Sequence, residues 1–92
     1  MGFEYDPNKS AINKAKHGIS FIEAQEIWNG IFVTVSLGNR HGEERQAVLG
    51  LIDGKHWTAI ITQRGENTRI ISARRSRTKE EAHYDREKRN QR

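Results

Sequence analysis

Thr68-Arg69-Ile70-Ile71-Ser72-Ala73-Arg74-Arg75 is the stretch in which the apolar and cationic signals of the chain meet. Ile70, Ile71 and Ala73 suit a pleated, packed surface, while Arg69, Arg74 and Arg75 are fork-shaped donors suited to bidentate phosphate contacts. The stretch reads as a buried strand, charged at both ends, that could hold arginines over a polyanion. Strict alternation would put Arg74 with Ser72 and Ile70 on one face, and Arg75 with Ile71 and Arg69 on the other. Apolar residues pointing both ways imply cover on both faces.

Working outward, Gln46 to Ile52 and Lys55 to Arg64 flank Asp53-Gly54, a hairpin signal, and Gly65-Glu66-Asn67 turns the chain into the 68–75 strand. Ile31 to Ser36, rich in branched and aromatic residues, adds another strand, while polar Gly38 to Glu44 reads as a loop. The expected sheet is four-stranded and antiparallel. Upstream, Phe3-Glu4-Tyr5 suits a short opening strand, and Asp6-Pro7 pairs an N-cap with a first helical residue. The helix that follows carries a narrow apolar stripe of Ala11, Ile12 and Ala15 and ends at Lys16-His17-Gly18. Ser20-Phe21-Ile22-Glu23 matches a capping box, with Phe21, Ala24, Ile27 and Trp28 on one face of a second helix. Downstream, Thr78-Lys79-Glu80-Glu81 matches another box and opens a charged helix toward Arg92, with only Ala82 and Tyr84 to pack. The fold class is α+β, with residues 1–92 as one domain.

With no cysteine there is no disulfide, thiol nucleophile or thiolate metal site. No apolar run approaches the ~18 residues of a membrane span, and Met1-Gly2-Phe3-Glu4-Tyr5 lacks signal-peptide character, so a cytoplasmic protein without membrane contact is expected. Residues 74 to 92 carry eight Lys or Arg against four acids, and residues 1 to 73 carry eight of each. The net +4 is therefore C-terminal, which points to a polyanion or an acidic protein, or else to a solvated helix.

The glycines match neither the dinucleotide nor the P-loop spacing, no serine sits in a nucleophile elbow, and His17, His41, His56 and His83 are too scattered to suggest a metal site. What remains suits RNA cleavage without metal or other cofactor. The 2′-hydroxyl needs a base, the phosphate needs cations, and the leaving oxygen needs an acid. Arg64, Arg69, Arg74 and Arg75 are candidates for the cations, and His17, Lys16, Tyr84 or Glu80 for proton movement. Each has a plainer reading. His17 suits a helix C-terminus as a dipole partner. Arg74 and Arg75 alternate, so one of them belongs to a surface ion pair. Arg64 and Arg69 suit soluble sheet edges. Tyr84 suits a docking anchor, and Trp28 and Trp57 suit core or interface positions.

Phe3-Glu4-Tyr5-Asp6-Pro7-Asn8-Lys9, then Asn13, Lys16-His17-Gly18 and Phe21-x-Glu23-Ala24, resembles the opening signature of the BrnT family of bacterial toxins. Gly65 through Arg69-Ile70-Ile71-Ser72-Ala73-Arg74-Arg75, with Glu80 and Tyr84, resembles that family's closing signature. Ser76 stands where alanine is usual and Tyr5 where tryptophan is common, both mild departures. The resemblance implies a type II toxin of RelE-like fold, with helices on one side of an antiparallel sheet, that cuts RNA and lowers translation. It also implies a BrnA-like antitoxin that masks the toxin and alone contacts DNA. On this reading Arg64, Arg69 and Arg74 hold the scissile phosphate, His17 leads the proton-transfer candidates with Tyr84 and Glu80 behind it, and Lys16, Arg75 and Arg77 add RNA contacts. The rival reading is a non-catalytic module, or degenerate toxin, that binds nucleic acid or antitoxin only.

Overall fold

The computed structural model describes residues 2–91. Its order is β1 (Gly2–Glu4), α1 (Pro7–His17), α2 (Phe21–Ala24) continuing as a 3₁₀ turn (Gln25–Asn29), β2 (Phe32–Arg40), β3 (Glu43–Ile52), β4 (Lys55–Arg64), β5 (Asn67–Arg75) and α3 (Thr78–Asn90). The strands form one sheet in the order β1-β5-β4-β3-β2. The sheet has five strands and is mixed, not four and antiparallel, because β1 runs parallel along the outer edge of β5 from Gly2↔Asn67 to Glu4↔Arg69. The helices between β1 and β2 carry the chain across one face, which leaves these two strands at opposite edges.

The N-terminal caps form as their chemistry dictates. The Asp6 carboxylate accepts the Asn8 N–H at 2.8 Å, Pro7 follows, and Gly18 closes α1 in the left-handed region at φ 80°. The Ser20–Glu23 capping box is complete, with the Glu23 N–H donating to Ser20 Oγ and the Ser20 N–H to Glu23 Oε1. The face of α1 is the reverse of the one expected. Ala11, Ile12 and Ala15 are exposed, and Ser10 and Asn13 are buried. The reason is the free edge of β5 beyond β1. Asn13 Nδ2 donates to the carbonyls of Ile19 and Ala73, both at 2.8 Å, and its Oδ1 accepts the Ala73 N–H. One amide thus completes the backbone pairing of an edge strand, and Ser10 Oγ accepts the Phe21 N–H in the same way.

Two packed layers flank the sheet. On one side Ile19, Phe21, Ala24 and Ile27 meet Val48, Ala59, Ile61, Ile70 and Ala73. The 3₁₀ turn presses against β3 so closely that a Cβ on Gly50 would lie 2.7 Å from Ile27 Cγ2 and 3.1 Å from its carbonyl oxygen. On the other side Tyr84 of α3 packs with Val33, Ala47 and Leu49. Helices therefore cover both faces rather than one. Only Tyr84 of α3 is buried, while Ala82 is exposed, because the hydroxyl of Tyr84 also donates to the Ile31 carbonyl at 2.9 Å and fixes the helix.

Asp53-Gly54 does make the β3–β4 turn, with both residues at positive φ. Residues 38–44 are not a loop: β2 runs to Arg40 and β3 begins at Glu43, so His41-Gly42 alone turns the chain. β5 does not alternate strictly. Ile60 pairs with Ser72 and Ile61 with Ile70, which leaves Ile71 as a bulge. Ile70 and Ala73 consequently share the α1–α2 face, and Arg69, Ser72 and Arg74 share the α3 face with Thr62, Ile60 and Thr58. Finally, Thr78 is the first helical residue of α3 and Arg77 its N-cap, since Glu80 Oε1 accepts the Arg77 N–H at 2.7 Å.

Candidate functional site

The bulge at Ile71 gathers the arginines that plain alternation separates. Across the strands, Gly38 pairs with Arg45, Arg45 with Thr62, Thr62 with Arg69 and Arg69 with Glu4, one row perpendicular to the sheet. Strands lie about 4.8 Å apart, so Arg45 and Arg69 rise from backbones about 10 Å from each other on one surface. The adjoining row holds Arg40, opposite Glu43, and Arg64, whose Nη2 donates to Glu43 Oε1 at 3.0 Å. Tyr84 of α3 packs on the apolar rows of this face, and in the basic rows the half-buried Arg45 and Arg69 lie on either side of a buried Thr62.

The arginines differ in what they have left to offer. Arg69 gives one Nη1–H to Glu4 Oε2 at 3.0 Å, and Arg64 gives one to Glu43, so both keep donors for another acceptor. Arg45 has a buried Nε without a hydrogen-bond partner among the described residues, and its Nη2 lies 3.8 Å from Glu43 Oε2. The Arg45 side chain is 30% exposed, and its Nη2 has only that long contact, so its terminal N–H groups are the donors an incoming phosphate oxygen could meet. Arg74 is instead engaged with Glu80 by a two-pronged ion pair of 2.7 and 2.9 Å, with Thr58 Oγ1 donating to the same carboxylate at 3.2 Å.

That clamp fixes the chemistry available to Glu80. Burial on its own would raise the carboxyl, but the hydrogen bonds from Arg74 and from the Arg77 N–H, the Arg74 charge and Thr58 outweigh it and hold it at about 2. A carboxylate this acidic stays ionised at neutral pH and holds protons poorly, which suits orienting Arg74 better than moving a proton. Arg74 in turn is raised by its bond to Glu80. Burial, with the charge of Asp85, raises Tyr84, and its hydroxyl is already committed to Ile31.

The structure does not bring all the sequence candidates together. Arg64, Arg69, Arg74, Glu80 and Tyr84 share the α3 side of the sheet. Lys16 and His17 end α1, which packs on the opposite side. Arg75 shares the face of Ala73, its guanidinium 5.5 Å over the Trp57 ring and its Nε donating to the His56 carbonyl. Arg77 is exposed at the start of α3. Sequence reasoning missed Arg40, Arg45, Lys79 and His83. Lys79 and His83 line, with Glu80, an apolar furrow of about 180 Å³ floored by Val35, Leu37, Ala47 and Leu49, and Leu37 also borders Arg40 and Arg45. The Glu43-Arg45-Ala47-Leu49 alternation carried a signal for Arg45, but Arg40 lay in the supposed loop. His83 carried none, because one histidine on a polar helix looks like any other surface residue. Among the described residues no three His, Cys, Asp or Glu side chains are grouped to hold a metal ion, and no helix is long and apolar enough to cross a membrane.

Residues 5–80 match the family described as "Ribonuclease toxin, BrnT, of type II toxin-antitoxin system". A search of curated proteins finds no match.

Proposed function

The chain belongs to the BrnT family of ribonuclease toxins of type II toxin-antitoxin systems, and from that premise we propose that it cuts RNA on the basic half of the α3 face. The observation that carries this reading is the row Arg45–Thr62–Arg69, which sets two arginines on one surface beside Arg64. Guanidinium groups at strand spacing can each take a phosphate oxygen of one RNA strand. Arg74, steered by Glu80, and exposed Arg77 extend the cationic surface toward α3.

In the reaction the 2′-oxygen attacks phosphorus, the bond to the 5′-oxygen breaks, and a 2′,3′-cyclic phosphate and a 5′-hydroxyl result. One proton leaves the 2′-oxygen and one reaches the 5′-oxygen. A proton carrier has to stand within hydrogen-bond reach of the atom it serves, so His17, across the sheet from the arginines, serves a different surface. His83, beside Glu80 at the furrow, is the better candidate, and Lys79 one turn earlier is the cation for the leaving side. Arg86 Nη2 lies 3.3 Å from His83 Nδ1, which leaves Nε2 for the substrate. Charge stabilisation comes from the arginines, without metal, and the consequence in the cytoplasm is loss of translatable RNA and arrested growth.

The test is RNA cleavage by the purified protein in EDTA. Wild type is expected to cut. His83→Ala should lose at least about a hundredfold in rate, the usual yield of one proton-transfer group, while His17→Ala stays within about threefold. Full activity of His83→Ala would remove the proton-transfer assignment, and intact RNA with wild type would leave the binding-module reading in its place.

A further inference from the structure

The two edges of the sheet are treated differently. At the β5 edge, β1 covers Asn67–Arg69 and the Asn13 amide occupies the backbone of Ala73, with Glu4, Arg69 and Arg74 supplying charge nearby. Among the described residues, the β2 edge ends the sheet with no neighbouring strand. Residues 31 to 39 of that edge contain no charged side chain, and Ile31, Phe32 and Leu37 are 42%, 39% and 48% exposed. Phe32 to Ser36 pair one for one with Gly50 to Gln46, so their outer side is a regular ladder of unpaired backbone groups, ended by the bulge at Leu37. Natural sheets guard such edges with charge, proline or cover, and this one lacks them.

The furrow between β2, β3 and α3 starts from the same edge. Its lining is almost wholly apolar, its floor is Val35, Leu37, Ala47 and Leu49, and its rim carries Lys79 and, past Leu37, Arg40 and Arg45. Apolar floor and cationic rim fit an apolar side chain flanked by acids. They fit a nucleobase less well, since no Phe, Tyr or Trp ring lines the furrow and the lone imidazole of His83 is its one stacking surface. We infer that the antitoxin adds an extended segment as a sixth strand along β2 and seats an apolar side chain in this furrow, with acidic residues against Arg40 and Lys79. Main-chain pairing supplies affinity and the furrow supplies specificity. An occupant there lies over Glu80 and His83 and closes the end of the RNA surface, so docking and inhibition become one event. The inference rests on the toxin–antitoxin reading.

Hydrogen exchange tests it on the wild-type chain, alone and co-purified with the protein encoded beside its gene. Backbone amides across 32–40 are expected to exchange at least about tenfold more slowly in the complex, with α1 and α2 unchanged. Leu37→Glu, which sets a carboxylate under the docked apolar side chain and against its flanking acids, should weaken antitoxin binding at least about tenfold, with the unfolding midpoint of the toxin alone unchanged as the control for folding. Unchanged exchange at 32–40, protection confined to the exposed Ile12 and Ile22 surface, or slowing at β2 in the chain alone through self-association would overturn the inference. Because the readouts are binding measurements, intact RNA with wild-type toxin is a separate result that bears on the ribonuclease reading only.

Discussion

Replacing Glu80 with glutamine keeps the shape of the side chain, and one oxygen for the Arg77 N–H, while turning an NH2 toward the Arg74 guanidinium. In the wild type that pair is bidentate at 2.7 and 2.9 Å, and its side chains are 20% and 22% exposed. Breaking a fully buried pair costs about 3–5 kcal/mol and an exposed one about 0.2–1 kcal/mol. Linkage gives a second bound. A carboxyl at about 2 against an ordinary 4.5 corresponds to at most about 3 kcal/mol, and solvent access lowers this to about 2 kcal/mol. Since the folded value is depressed, the contribution is complete above pH about 4.5 and is lost as pH falls through about 2. Urea unfolding should therefore find wild type more stable than Glu80→Gln by about 2 kcal/mol at pH 7 and by about 1 kcal/mol at pH 3. Other carboxylates titrate in both proteins and cancel in the difference, among them Glu23, which hydrogen bonds from Lys14 and Ser20 hold at about 2. A difference below about 0.5 kcal/mol at pH 7, or an equal one at both pH values, would refute the clamp.

Two further substitutions separate structural from chemical roles. Asn13→Ala leaves the Ala73 N–H and carbonyl buried without partners and should cost about 2–4 kcal/mol in chemical denaturation, with no change in cleavage by the fraction that remains folded. Tyr84→Phe removes the hydrogen bond to Ile31 and should cost about 1 kcal/mol in thermal or urea unfolding while RNA cleavage persists; abolished cleavage would return the phenol to the reaction.

Local chemistry made much of the fold legible. Asp6-Pro7, Gly18, the Ser20–Glu23 box and Asp53-Gly54 each act within a few residues, and each does what its sequence says. The failures are tertiary. Nothing near Asn13 announces that its amide meets a strand sixty positions away, so Ala11, Ile12 and Ala15 looked like the buried stripe of α1. A parallel β1 depends on where the helices return the chain. The bulge at Ile71 shows only in the register of β5 on β4, and on it hangs the side of the sheet to which Arg69 belongs relative to Arg74. For the candidate site, Arg64 of β4 and Arg69 and Arg74 of β5 could be read directly. His83 and Arg45 gain meaning only from the surface that the register assembles around them.

The central claim is that RNA lies across the basic rows of the α3 face. It is tested most directly by mapping backbone and arginine NMR shifts on addition of a 2′-O-methyl RNA oligonucleotide, which binds but lacks the attacking hydroxyl. The account predicts the largest changes at Arg40, Arg45, Thr62, Arg64, Arg69 and His83, fading as salt is raised. Changes centred on Lys16, His17 and the exposed side of α1 would contradict it.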